Sequence, residues 1–249
     1  SLRPEAGAAV AKIAGGYAVF CGVNSPLTQA VAMGLHGPVE SAEFDRLEEF
    51  YFTYRDATRV ELCPMADPSI VEHLGRRGYP PTEFSNVMAR PLNVPERWPT
   101  PPYDIGIERL SPDHAGLWAQ IVAQGFAEHF PLTPELLEVM QIFAQTPNTI
   151  CFLARLEGQI AGGACLALRD GLAGLFGAST LPAFRRRGIQ TALLQARLTL
   201  AADSGCDLAL SLAMPGSASQ RNILRHGFQT LYTRVKFARE FAPRGSALA

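Results

Sequence analysis

One run, Leu175 to Leu194 (LFGASTLPAFRRRGIQTALL), constrains this chain more than any other. It reads as an apolar strand, a short turn carrying Arg185, Arg186 and Arg187, then Gly188 and a helix start. The first turn of a helix leaves backbone N–H groups without partners and carries partial positive charge. Three arginines add full charge at the same place, and a glycine lets the backbone approach a ligand closely. Such a turn suits a pyrophosphate. Ile189, Ala192, Leu193, Ala196 and Leu200 recur at helical spacing, so the helix predicted over 189–203 has a core face that anchors the turn.

The arginine triplet stands on a nearly neutral molecule. Its net charge of −1 argues against nucleic acid as a partner, because phosphate backbones demand broad basic surface. No apolar stretch reaches the ~20 residues of a membrane span, and the start, SLRPEAGAAVAKIAGG, lacks the apolar centre of a secretory signal. The five cysteines (Cys21, Cys63, Cys151, Cys165, Cys206) are odd in number and far apart in sequence, which predicts reduced thiols and a cytoplasmic protein. Histidines and cysteines show no ligand spacing, so no metal is expected.

Residues 89–104 (ARPLNVPERWPTPPYD) hold five prolines in sixteen positions. Proline removes donors and fixes φ, so the stretch is predicted to be an extended linker rather than helix or central strand. It divides the chain into residues 1–96 and 97–249. After it come a strand at 103–110 and a helix begun by Ser111-Pro112-Asp113 and reaching about Glu128. A second helix runs from Thr133-Pro134 to about Gln145. Strands follow at 149–156, 159–168 and 172–180, the first two joined by a Glu157-Gly158 hairpin turn. The 189–203 helix ends at Gly205. A strand at 206–213 precedes a short helix capped by Ser217 and Gln220, which stops at Gly227 before a last strand at 228–238.

The order β-α-α-β-β-β-α-β-α-β, with the RRRGIQ turn and the closing His226-Gly227-Phe228, resembles the GCN5-related N-acetyltransferase (GNAT) superfamily over about residues 103–240. The resemblance implies an α/β fold with a mixed sheet and acetyl-CoA as acyl donor. Its coenzyme A loop would be Arg185, Arg186, Arg187, Gly188, Ile189 and Gln190, with Gln190 standing where the family pattern has glycine or alanine. Ala178, Ser179, Thr180 and Leu181 would bind the pantetheine arm through their backbone, with Gly177 allowing close approach. Ser219, on the short helix, would face the cofactor. The tyrosine that the family commonly places four residues before the closing glycine is Ile223 here, and an isoleucine donates no proton. The strand before the loop, GLAGLFGAST, carries no titratable side chain. Glu128 and His129, in the turn between the first two helices, are then the candidates for taking up the amine proton, with Tyr232 as a further donor.

The amino-terminal part looks like a degenerate copy of the same unit. Asp67-Pro68-Ser69 caps a short helix ending in Arg77-Gly78-Tyr79, and a strand at 83–92 follows. Thr28 to Leu35 matches the central strand and Ser41 to Tyr54 the helix after it. Between them Glu40 and Glu43 replace the arginines, and carboxylates there repel a pyrophosphate. The expectation is a tandem GNAT protein that binds acyl-CoA in its second domain, with a small-molecule or peptide amine as acceptor. The two copies would pack as an intrachain pseudo-dimer, or the chain as a homodimer. Two alternatives stay open: a non-catalytic acyl-CoA-binding module, and a basic loop for another phosphorylated ligand.

Overall fold

The computed structural model describes residues 6–92, 98, 104–127 and 132–242. The chain forms two compact units, residues 1–85 with 232–249 and residues 86–231.

The first unit starts with a hairpin, β1 (Ala9–Ile13) and β2 (Gly16–Phe20). Its two-residue turn places Ala14 and Gly15 at positive φ, the geometry that matches strand twist. Then come β3 (Gln29–Val31), α1 (Ser41–Thr53), β4 (Thr58–Leu62) and α2 (Pro68–Arg76). Strands β3 and β4 run parallel around α1. Phe44, Leu47 and Tyr51 of α1 and Ile70 and Leu74 of α2 fill the core between helices and sheet. Asp67 caps α2 by accepting from the Ser69 N–H at 2.9 Å.

The second unit contains β6 (Ile105–Arg109), α3 (Ala115–Phe126), α4 (Pro134–Gln145), β7 (Thr149–Leu156), β8 (Gln159–Arg169), β9 (Leu172–Thr180), α5 (Ile189–Asp203), β10 (Leu208–Ala213) and α6 (Ala218–Arg225). Strands β6 to β9 form an antiparallel meander, and β10 joins β9 in parallel. A Cβ on Gly163 would meet Trp118 and Val122 of α3, whereas one on Gly162 would meet Ile189 of α5. Successive strand residues point to opposite faces, so α3 and α5 cover opposite faces of this sheet.

The expected element order of the second unit is observed. The hairpin turn has Glu157 and Gly158 at positive φ, and Gly205 stands at φ 76° after α5. Other expectations are corrected. Ser111 stands at the N-cap of a 3-10 turn, Pro112–His114, that precedes α3, and its side chain makes no capping hydrogen bond. In α6, Ser217 accepts from the Gln220 N–H, but the Gln220 side chain reaches Gly216 N rather than the cap residue itself. Residues 89–91 belong to a strand, β5 (Pro81–Pro91), not to the linker. Pro91 is its last residue, where a missing donor costs least, and the next N–H, of Leu92, bonds Asp207 O at 2.8 Å.

The two units are not separated by one cut. Residues 86–91 of β5 pair with β10 in the second unit. In the first unit, β11 (Gln229–Arg239) pairs its residues 235–239 with β4. Each unit thus takes its closing strand from the other half of the sequence. Residues 93–97, around the expected boundary, lie outside the described residues.

Candidate functional site

The site begins where β9 and β10 part. Their parallel ladder runs from Leu172–Leu208 to Leu175–Ser211 and ends there. Ser211 Oγ closes the ladder by donating to Leu175 O at 3.2 Å. Beyond it, residues 176–180 of β9 pair only with β8.

A β-bulge shapes this edge. Gly163 pairs with Ser179 and Cys165 with Phe176, so Gly177 and Ala178 together oppose Ala164. Gly177 sits at φ 58°, with the Trp118 ring 3.0 Å from where a Cβ would be. A side chain here would be strained by conformation and by contact, so glycine marks the bulge. The Leu181 N–H donates to Ala161 O at 2.9 Å, which makes Thr180–Gly162 a non-hydrogen-bonded pair. Thr180 therefore turns its own N–H and C=O away from β8. Ser179 turns toward β8, so the carbonyl of the preceding peptide, Ala178 C=O, points to the parted side. Of the four residues expected to offer backbone groups, Ala178 and Thr180 face the parted side. Ser179 and Leu181 are spent on β8, and the Ser179 hydroxyl donates to Val122 O of α3 at 3.0 Å.

At the end of β9 the chain makes a 3-10 turn, Pro182–Phe184, and enters α5. Arg186 and Gly188 are left-handed, at φ 62° and 82°. Gly188 is the N-cap of α5, and no side chain caps the helix. Its first N–H groups thus remain available to an anion. The three arginines divide. Arg185 turns inward: Nε donates to Thr180 O at 3.4 Å and Nη2 to Gly125 O at 3.2 Å. Its charge lies on the last turn of α3, where a helix carries partial negative charge. Arg186 and Arg187 are exposed beside Gly188. Ile189 is buried and Gln190 half-buried.

Close approach of α3 to β9 depends on Gly125, since a Cβ there would collide with the Ser179 side chain. On α6, Ile223 is 6% exposed and belongs to the core. Ser219 is exposed, and Asn222 Oδ1 accepts from Thr191 Oγ1 of α5 at 3.2 Å. Tyr232 belongs to the first unit, where burial and the nearby Cys63 push its phenol up. Glu128 and His129 lie outside the described residues.

The first unit treats the corresponding elements differently. Glu40 is the N-cap of α1, and Glu43 Oε1, in the first turn, accepts from Ala14 N at 3.0 Å. Ser69 Oγ and His73 Nε2 hold the backbone of Val39. Asp67 N donates to Gly34 O at 2.8 Å, so the chain after β3 is tied to the start of α2.

Two features were missed in the sequence. Arg197 lies on the buried face of α5, which runs through Ile189, Leu193, Leu194, Leu198 and Ala201; Ala196 and Leu200, assigned to it by spacing, are half-buried. A stripe drawn from apolar residues alone passes over an arginine. Cys151 and Cys165 are cross-strand neighbours with Sγ atoms 3.2 Å apart. Their separation in sequence hides this until the register is known.

Among the described residues, no group of three or more His, Cys, Asp or Glu is placed to hold a metal. No described helix is long and apolar enough to cross a membrane.

A mixed sheet that parts beside a bulged strand, leading into an uncapped helix start, is the acyl-CoA N-acyltransferase arrangement. Residues 118–228 match the model of the Acetyltransferase (GNAT) family, and the protein is an acyltransferase. Among solved structures, a GCN5-related N-acetyltransferase from Kribbella flavida aligns at 16% identity and TM-score 0.69, over 93% of this chain and 89% of that one. A tandem GNAT protein from the clavulanic acid biosynthesis pathway aligns at 15% and 0.60, over 92% and 79%. A GCN5-related N-acetyltransferase from Sphaerobacter thermophilus aligns at 22% and 0.58, over 76% and 61%. At such identities the likeness concerns the fold. No curated protein matches the chain.

Proposed function

We propose that the second unit binds acetyl-CoA and transfers its acetyl group to a primary amine, without an acyl-enzyme. The observation that carries this reading is the parting of β9 from β10 after the Leu175–Ser211 pair, continuous with the uncapped start of α5. The pyrophosphate would lie on the N–H groups from Gly188 onward, beside Arg186 and Arg187. The pantetheine arm would run along the parted edge, on Ala178 and Thr180.

The substrate amine's lone pair attacks the thioester carbonyl carbon. A C–N bond forms, the C–S bond breaks, and sulfur leaves with the electron pair. The ammonium proton passes to solvent and a proton is returned to the thiolate, which is a weak base and needs little help to leave. The protein's share is to orient the two reactants and to stabilise the negative charge on the carbonyl oxygen with fixed backbone N–H groups. The acceptor is a small molecule or a peptide bearing a free amine. In this reading the first unit is a degenerate copy whose equivalent of the loop is taken up by the Glu43–Ala14 and Asp67–Gly34 hydrogen bonds.

Isothermal titration with acetyl-CoA and with CoA tests the binding. The expected result is saturable binding to the full chain that is lost in the Arg186→Glu/Arg187→Glu variant. No heat at millimolar ligand rejects the reading. Ile223, buried at the position where the family commonly has a tyrosine, favours a second reading in which acyl-CoA binds without turnover. Thiol release from acetyl-CoA with a panel of primary amines separates the two, because only the enzyme exceeds spontaneous hydrolysis.

A further inference from the structure

Arg197 projects from α5 onto the underside of β8 and β9 and is 3% exposed. Among the described residues, main-chain carbonyls alone receive it. Nε donates to Leu193 O at 3.0 Å, one turn back, and Nη1 donates to Cys165 O at 3.1 Å, with a longer contact to Phe176 O at 3.5 Å. No carboxylate pairs with it among the described residues. Burial pushes its guanidinium down to about 10, so it stays charged at neutral pH. An isolated buried cation is costly. At this place in an otherwise apolar stripe, a leucine or methionine would pack without that cost.

Its position shows what the charge acts on. Cys165 and Phe176 are the last regular pair before the bulge at Gly177 and Ala178. From the other face, Trp118 Nε1 donates to Ala164 O at 3.3 Å, and Ala164 is the residue opposite the bulge. The bulge is therefore gripped from both sides of the sheet. Cys165, Phe176 and Ala164 are themselves paired in the sheet, so the two side chains add bonds to the backbone around the bulge rather than substitute for it.

We propose that Arg197 is a positioning residue for acyl transfer: through Cys165 O and Phe176 O it holds the β9 bulge so that the parted edge of β9 presents a backbone N–H to the acyl oxygen, with a fixed positive charge behind it. This rests on the acetyl-transfer reading above. The carbonyl oxygen of the thioester carries little charge before attack and nearly a full charge after it. A preorganised dipole and a buried cation therefore act on the transition state more than on the bound substrate. The loss of Arg197 should then fall on kcat and spare the affinity for the carrier, whose pyrophosphate lies elsewhere.

The test compares the full-length wild type with Arg197→Met and Arg197→Lys. The readouts are thiol release from acetyl-CoA with primary amines, calorimetric affinity for CoA, and amide hydrogen exchange over residues 174–180. Arg197→Met is expected to lower kcat about 30-fold, with KM for acetyl-CoA and the CoA affinity within about threefold, because only transition-state contacts are lost. Exchange at Phe176–Ala178 should quicken, and Arg197→Lys should recover part of kcat. A folded Arg197→Met protein with wild-type kcat overturns the proposal. So does a parallel loss of kcat and CoA affinity that lysine does not relieve. If the methionine variant fails to fold, Arg197→Lys decides alone: it keeps the charge but loses the fork, so unchanged kcat with unchanged exchange is a rejection. A wild type that binds CoA but releases no thiol removes the acyl-transfer reading and the catalytic half of the proposal. Exchange in Arg197→Lys then still judges the grip on the bulge, and unchanged protection overturns it.

Discussion

The guanidinium of Arg185 donates to the carbonyl oxygen of Gly125 at 3.2 Å, linking the loop before α5 to the last turn of α3. The first arginine of the triplet thus holds the loop in place, and the two after it face solvent. Arg185→Ala is expected to destabilise the second unit by about 1–2 kcal/mol, the size of charge-assisted hydrogen bonds at a half-buried site. Arg186→Ala and Arg187→Ala should change stability by less than about 0.5 kcal/mol while weakening CoA binding severalfold. Denaturant unfolding alongside calorimetry distinguishes the two patterns.

Gly125 and Ser179 are in direct contact, and a Cβ on Gly125 would drive into the serine side chain. Gly125→Ala is expected to cost about 1–3 kcal/mol as an overpacked core position. Ser179→Gly also costs stability, because the hydroxyl's bond to Val122 O is lost. The double variant should be more stable than the sum of the two costs. A thermodynamic cycle measures this coupling, and strict additivity would show that the helix simply moves away.

Gly188 caps α5 at φ 82°, with space around it: the nearest atom to a Cβ would be Ile105 Cδ1 at 3.6 Å. Backbone conformation, rather than crowding, therefore requires glycine. Gly188→Ala should lose about 1–2 kcal/mol, and Gly188→Asn less, since asparagine tolerates the left-handed region. Unfolding midpoints of the two variants check the order.

In the first unit, Lys236 of β11 pairs with Glu83 of β5 at 3.1 Å. Burial raises the Glu83 carboxyl, but the Lys236 ammonium and the Ser85 hydroxyl outweigh it and hold it below the ordinary glutamate value. A carboxyl lowered in the folded state contributes stability above its unfolded value and loses it as pH falls through the folded one. Glu83→Gln should therefore cost about 0.5–1 kcal/mol at neutral pH, the pair being partly exposed. The difference should shrink as pH falls below the ordinary glutamate range and vanish once the lowered folded carboxyl is itself protonated. A difference that persists at low pH would mean the cost comes from packing.

Much of this site could be read before any coordinates. Gly188 at a strand-to-helix turn, the hairpin glycine at 158 and the capping threonine at 133 all act through neighbours a few residues away, so local spacing reveals them. Thr133 does accept from Leu136 N at 3.2 Å. Arg185 shows the limit of that reading. Its neighbours in sequence are also cationic, and nothing local says that one of the three turns back to α3, sixty residues earlier. Arg197 is the sharper case. Its burial follows from a bulge on another element, and no rule of spacing puts a cation on a core face.

The amino-acid order by itself determined the succession of strands and helices after the proline-rich stretch, the cationic turn before α5 and the acidic start of α1. These depend on propensity, capping and charge within a few residues. The hairpin β1–β2 and the strand β4 went unread. Tertiary structure decided which arginine serves the fold, which backbone groups of β9 face outward, that Cys151 meets Cys165, and that β5 and β11 each close the other half's unit. Those outcomes depend on strand register and on contacts between residues tens to hundreds of positions apart, where a shift of one residue reverses which way every group points.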